Sequence, residues 1–440
     1  MKRMRLLPLA AALALGAAVP AHAEGLLQLY EAARVYDATW QSARAQYEAT
    51  VFRAEQARAG LLPQAGLSAG VTRSDFRNDA PATDRNFTTQ QATISASQPL
   101  YRPANVATWR QGQRQAELAE AQLQAAGQDL MIRVSQAYFD VLAAQDTLAF
   151  VRAQKTAVAE QLASARRNFE VGTSTITDTR EAQARYDLVL AQEIAAENDL
   201  RVRRLALDTL VGRTDTQPDP LATPLVLPPP QPNDVDAWVA AAEASSPAIQ
   251  QARRAVEIAE LETDKAKAGH KPTLDLTASY GVSRNLNGSA ASPLDSKPKS
   301  GNVGLAFNLP LFAGFATQNR IRETLALEER ARADLEATRR QVAQAVRTAF
   351  FGVQSGQGQV RALEAAEASS QSALDANRLG YQVGVRINID VLNAQSQLFQ
   401  TKRDLAAARY NVLLGHLRLR QANGTLTPED LARLNTLLAR

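Results

Sequence analysis

Two short segments hold the residues whose types and spacing best suit chemistry. "FEVGTSTITDTREAQ" runs from Phe169 to Gln183, and "YQVGVRINIDVLNAQ" from Tyr381 to Gln395. Each sets a glycine, Gly172 or Gly384, six residues before an aspartate, Asp178 or Asp390. The second adds Tyr381 and Arg386, and places Asn393 three residues past Asp390. A carboxylate, a guanidinium and a phenol so spaced can make charge-assisted hydrogen bonds across a chain reversal. Covalent and metal chemistry have little to work with. Cysteine is absent, and the three histidines are His22, His270 and His416. There is no phosphate-cradling loop, nucleophile elbow, zinc-protease helix or dinucleotide fingerprint. The remaining Asp and Glu residues are scattered along helices at solvated spacings. No catalytic site, cofactor or metal centre is expected, and the chain does not read as an enzyme. Methionine occurs only at Met1, Met4 and Met131, too few to relay a soft metal ion through thioethers.

The two segments belong to a long internal repeat, which is the first thing to seek in a chain of this length. From Gly172 to Gly384 the offset is 212, and at that offset Val171, Asp178, Ala182 and Gln183 match Val383, Asp390, Ala394 and Gln395. Tyr138-Phe139 matches Phe350-Phe351, and Gly212 matches Gly424. The ordered matches divide the chain into a first repeat over 24–213 and a second over 235–426, with a tail over 427–440. Between the repeats, 214–234 is proline-rich and reads as an extended connector. Each copy runs in the same order: a helical stretch, two short alternating segments, then a long helical stretch that reverses once.

The long stretches are free of proline and rich in Ala, Gln, Leu, Arg and Glu, all good helix formers. The spacing predicts a helix from about Asn105 to Phe169, on the order of 100 Å long at 1.5 Å per residue, and hence an elongated molecule. Gly172 and Gly384 suit the reversals, because glycine takes the left-handed conformation of a helix C-terminus without steric cost. Thr177 and Asn388 are the candidate caps of the returning helices.

The short segments alternate apolar and polar residues at the strand period. Ala65, Leu67, Ala69 and Val71 form one apolar row, and Ala92, Ile94 and Ala96 a second. Leu274, Leu276, Ala278, Tyr280 and Val282 form a third, and Val303, Leu305, Phe307 and Leu309 a fourth. They predict two hairpins, over 64–98 and 273–311, with polar loops from Arg77 to Phe87 and from Arg284 to Gly301. Pro63, Pro99, Pro272 and Pro310 are expected at helix–strand junctions, where a missing amide donor costs little. Tyr101, Phe312 and Phe315 lie just beyond the strand ends and suit an interfacial aromatic belt.

Lys2, Arg3 and Arg5 precede an apolar run from Leu6 to Val19, and Ala21-His22-Ala23 follows. That is the pattern of an export leader over 1–23. Its removal would take the net charge from +4 to +1, so charge points to no nucleic-acid partner. Without cysteine, no N-terminal lipid anchor is expected. For an exported chain, apolar–polar alternation is the signature of outer-membrane strands. Lipid cannot satisfy an open sheet edge, so such strands must close into a barrel. Four strands are too few, so several chains must contribute; the arithmetic alone leaves 8 or 12 strands open.

The hairpins, the duplicated long helices and the paired turn segments together resemble the TolC-like outer-membrane efflux protein family, over about residues 25–426. The resemblance implies a mainly α chain with a small β part. It implies a homotrimer with a 12-strand transmembrane β-barrel, four strands per chain, above an α-barrel tunnel of long antiparallel helices. It places the protein in the outer membrane, in contact with its lipid and extending into the periplasm. It implies a passive exit duct for small molecules or proteins, served by a periplasmic adaptor and by an inner-membrane pump or ABC transporter. The turns at Gly172 and Gly384 would form a gated entrance. There Asp178, Tyr381 and Arg386 fall where the family places links that hold the gate shut, and Asp390 where it places an inward carboxylate ring. Asn393 stands where a second aspartate is frequent, which implies weaker cation preference and weaker block by multivalent cations. Plainer readings accompany these. Asp178 and Asp390 also suit the first turn of a helix through the helix dipole, and their presence in both copies fits a shared structural role. Arg386, whose repeat partner is Ser174, could be a solvated loop charge. The competing function is a structural or adhesive coiled-coil envelope protein, against which the two hairpins argue.

Overall fold

In the computed structural model the described residues are 25–79, 82–222 and 227–438. The export leader expected over 1–23 lies outside them, as do parts of the first hairpin loop, the connector and the tail. Helices α1 (Leu26–Tyr36) and α2 (Ala38–Arg58) lead into strands β1 (Gln64–Asp79) and β2 (Ala82–Tyr101). The long helix α3 (Pro103–Glu170) follows and returns as α4 (Ile176–Val211). The second repeat gives α5 (Val235–Ser245), α6 (Pro247–Lys267), β3 (Thr273–Leu286), β4 (Lys299–Asn308), α7 (Ala316–Gln382) and α8 (Asn388–Asn423). A short α9 (Pro428–Asn435) closes the order. Pro103 opens α3 at the first helical position, where its fixed φ and missing N–H suit a helix. The observed 68 residues therefore extend the predicted span by two residues at its start and one at its end.

The chain forms two compact units that cut across the two repeats. One takes residues 1–42, 125–246 and 342–440, the other 43–124 and 247–341. The second unit holds the sheet. Its four strands lie antiparallel in the order β1-β2-β3-β4. Cross-strand register sorts the side chains cleanly. Leu67 faces Ile94, which faces Tyr280, and all three are more than half exposed. On the neighbouring rung Gly66, Ser95, Ser279 and Asn302 align. Residues directly opposite share a face, so one face is apolar and the other polar. Among the described residues nothing covers the apolar face, and β1 and β4 are left as edges.

Three expectations change here. The strands outrun their apolar rows: β1 and β2 pair as far as Asp79 and Ala82, through most of the segment expected as a polar loop. Backbone pairing does not need apolar side chains, so solvated residues extend the ladder unseen by an alternation search. In the other hairpin β4 ends at Asn308, short of 311. Pro99 lies inside β2, at a register irregularity between Pro99 and Tyr101, which absorbs its missing donor. Pro63 and Pro272 do precede their strands, and Pro310 follows β4. Beside the irregularity Arg102 makes a two-pronged contact with Asp275 of β3, at 2.7 and 2.6 Å. Phe312 and Phe315 are exposed and meet edge to face at 5.4 Å.

The first unit is held by helix packing. Leu26 and Leu29 of α1, Leu130, Val134 and Tyr138 of α3, and Leu413 and Leu417 of α8 share one core. Tyr138 is buried there, and its hydroxyl donates to the Asp219 carbonyl at 2.8 Å; burial pushes its pKa far up. Away from that core the packing follows a strict seven-residue repeat. On α8, Val391, Leu398, Leu405, Val412 and Leu419 are all buried. On α7, Val346, Val353, Val360 and Leu374 follow the same count, broken only at Glu367. A seven-residue apolar period imposes a left-handed supercoil. Glu367 is met by Lys402 at 3.9 Å. Ala222 of the connector donates to the Leu437 carbonyl at 2.9 Å, which pins that part of it to the C-terminal tail.

Candidate functional site

Both reversals are built alike. Gly172 has φ +77° and Gly384 φ +81°, with open space where a Cβ would stand. Past each glycine a backbone N–H returns to a carbonyl of the last helical turn: Thr173 to Asn168 at 2.8 Å, Val385 to Gly380 at 2.9 Å. This closes the orphaned end of each outgoing helix.

The starts of the returning helices differ. Thr175, not Thr177, caps α4, and it forms a reciprocal box with Asp178. The Asp178 carboxylate accepts from the hydroxyls of Ser174, at 2.7 Å, and Thr175, at 2.9 Å, and from the Thr175 N–H at 3.0 Å. Burial pushes its pKa up, but these donors prevail and hold it below the usual carboxylate range. In α8 the cap position is Ile387, whose side chain makes no capping bond. Asn388 is the first helical residue and is fully buried. Its amide ties the two reversals together, accepting from Gln161 Nε2 at 2.5 Å and donating to the Asp178 carbonyl at 3.1 Å.

The other residues singled out from sequence occupy the same end of α7 and α8. The Arg386 guanidinium lies 3.7 Å from the Asp390 carboxylate, one turn along. The Tyr381 hydroxyl accepts from Asn168 Nδ2 at 3.2 Å. Within one chain the Asp178 carboxylate is held by Ser174 and Thr175 of its own turn, while Tyr381 pairs with Asn168 and Arg386 with Asp390. Asn393 accepts from Arg185 Nη2 of α4 at 2.9 Å. Val171, Val383, Val385 and Ile387 at the tips are exposed. Asn168, Gln161 and Arg185 escaped the sequence reading. Each lies more than 200 residues from its partner, and no local motif marks it.

Asn388→Leu removes both bonds of the bridge while keeping similar bulk, and strands the Gln161 amide. The expected cost is about 2 kcal/mol, felt locally. Amide hydrogen exchange over 388–395 should quicken about tenfold or more, while exchange around Leu417 stays as it was. Equal protection in both proteins would show that the bridge does not hold the turns.

Comparisons with known proteins agree with this architecture. The family model described as "Outer membrane efflux protein" matches residues 29–213 and 238–425. Outer membrane protein TolC of Vibrio cholerae serotype O1 is 35% identical over 434 residues, 98% of this chain and 98% of that protein. Alkaline protease secretion protein AprF of Pseudomonas aeruginosa is 32% identical, across 93% of this chain and 86% of that protein. Among solved structures, the outer membrane protein VceC of Vibrio cholerae superposes with a TM-score of 0.77 at 21% identity, covering 91% of this chain and 96% of that one. The Campylobacter jejuni CmeC outer membrane channel gives 0.80 at 16% identity, covering 94% and 90%.

Proposed function

The chain belongs to the outer membrane efflux protein family, and from that premise we propose that it is one of three copies forming a gated exit duct. It is an outer-membrane protein that serves efflux and secretion. The observation that carries the duct is the sheet. Four strands present an in-register apolar face and two unpaired edges, which lipid tolerates only in a closed barrel. Three copies close it with twelve strands. The apolar rungs then meet lipid, the polar rungs line the lumen, and Tyr101, Phe312 and Phe315 sit at the interface. The helices continue the duct into the periplasm, where a periplasmic adaptor and an inner-membrane pump or ABC transporter supply passenger and energy. Passengers are small molecules or polypeptides; the relative AprF is named for protease secretion.

In this reading the reversals form the entrance. The Asp390 carboxylates ring the axis, and Arg386 and Tyr381 hold the closed state. The Arg386–Asp390 contact within one chain is long and exposed, worth little by itself, so the Arg386 guanidinium is available to a neighbouring copy. Reconstituted in planar bilayers, the wild-type protein should show a small, steady conductance. Arg386→Ser with Tyr381→Phe should raise it several-fold as the entrance relaxes. An unchanged conductance would remove the lock, and no conductance from either protein would remove the duct.

A further inference from the structure

Helices α3, α4 and α8 frame a groove of about 450 Å³ beyond the reversals. Arg185 and Arg403 both line it, and none of the lining residues is acidic. The two guanidiniums spend their hydrogen bonds on neutral amides: Arg185 on Asn393 at 2.9 Å, and Arg403 on Gln400 at 2.7 Å. Arg133 and Arg152, which face carboxylates, have raised pKa values. Arg403 shifts the other way, because burial outweighs the pull of Asp404. Three more polar atoms of the same wall have no partner: Gln154 Oε1, Gln192 Oε1 and Ser396 Oγ. Gln154 is only 3% exposed. Buried polar groups are nearly always paired, so positive charge and unpaired atoms in one groove point to a visitor.

We propose that this groove binds a solute carrying an anionic group, carboxylate or phosphate, beside N–H or O–H donors. The guanidiniums grip the anion, and the Ser396 hydroxyl donates a further bond to it. The Gln154 and Gln192 carbonyl oxygens accept from the solute's own donors. The volume fits a small molecule or one side chain of a longer passenger. Asn393, Gln397 and Gln400 follow Asp390 at helical spacing, so the groove continues the Asp390 face of α8. Its effect on traffic rests on the reading that this face lines the duct; binding itself does not.

Calorimetry on the purified full-length protein in detergent, at low ionic strength, tests it with two probes, inorganic phosphate and glutamate. At least one should bind, and the tighter of the two identifies the group as phosphate or carboxylate. Arg185→Gln with Arg403→Gln should weaken binding about tenfold or more. A gentler second variant, Asn393→Asp, should also weaken it, because its carboxylate would occupy Arg185 from within. No heat from either probe in the wild type, or equal affinity in all three proteins, would overturn the proposal. Ion selectivity of Asp390→Asn in bilayers separates the two readings. If it is unchanged, that face is not in the duct, and the calorimetric answer stands regardless.

Discussion

Asn393→Asp combined with Arg185→Gln is expected to raise the cation-over-anion permeability of the channel roughly tenfold. Asn393→Asp alone should raise it less than about twofold. The difference lies in one hydrogen bond. Arg185 Nη2 stands 2.9 Å from Asn393 Oδ1, so a carboxylate placed there gains a counter-ion at once and the added charge is cancelled. Without the arginine, three copies would carry three uncompensated charges near Asp390, at the ring proposed above. At several ångströms and a dielectric near that of water, each is worth a fraction of a kcal/mol to a passing ion, and together about 1–2 kcal/mol before screening. Reversal potentials across a potassium chloride gradient read this directly. Block by a trivalent cation should follow the same order. Equal responses from the single and double variants would show that Arg185 does not neutralise the position. A flat response from both would show that Asn393 does not face the axis.

Gly424→Ala is the substitution with the largest expected effect on stability, about 3 kcal/mol or more. Gly424 ends α8 at φ +83°, a conformation that costs an alanine about 1 kcal/mol. The larger part is steric. An added Cβ would collide with the Ser245 carbonyl oxygen and stand 2.6 Å from Ser246 Cα, both backbone atoms. Around it Gln128 donates to the Gly424 carbonyl at 2.9 Å, and Ser245 to the Asn423 carbonyl at 2.6 Å, so relief would break other bonds. The repeat supplies the control. Gly212 ends α4 at φ +70°, but there the Cβ meets the Tyr36 ring, an exposed side chain that can swing away. Gly212→Ala should therefore cost only about 1–2 kcal/mol. Denaturant midpoints of the two variants test the ranking. Similar losses would mean that the shared backbone conformation, not the neighbour, sets the cost.

The parts of this fold that showed in the sequence are those with local signatures. Glycine marked both reversals because only the left-handed conformation ends the helices there. Alternation marked the four strands because one face had to be apolar. The seven-residue repeat of α8 is equally legible from Val391 to Leu419, whereas in α7 it is interrupted by Glu367. Other features were hidden for a physical reason. The strand extensions toward Asp79 and Ala82 are held by backbone bonds that leave no trace in side-chain polarity. Asn388 looked like a cap by type and position, yet its amide turned inward to join two reversals 210 residues apart. The bonds of Arg185 to Asn393 and of Asn168 to Tyr381 are tertiary pairs between helices far apart in the chain. No spacing rule finds such pairs, and they are where the two otherwise matched reversals differ.

The open edges of β1 and β4 have a consequence at the level of the cell. A copy with a ruined edge is not merely inactive, because it occupies a place that two sound copies need. In a three-copy barrel the share of sound assemblies falls as the cube of the share of sound chains, to about one eighth when half the chains are defective. Edge lesions in this gene should therefore behave as dominant, while lesions confined to a loop should behave as recessive.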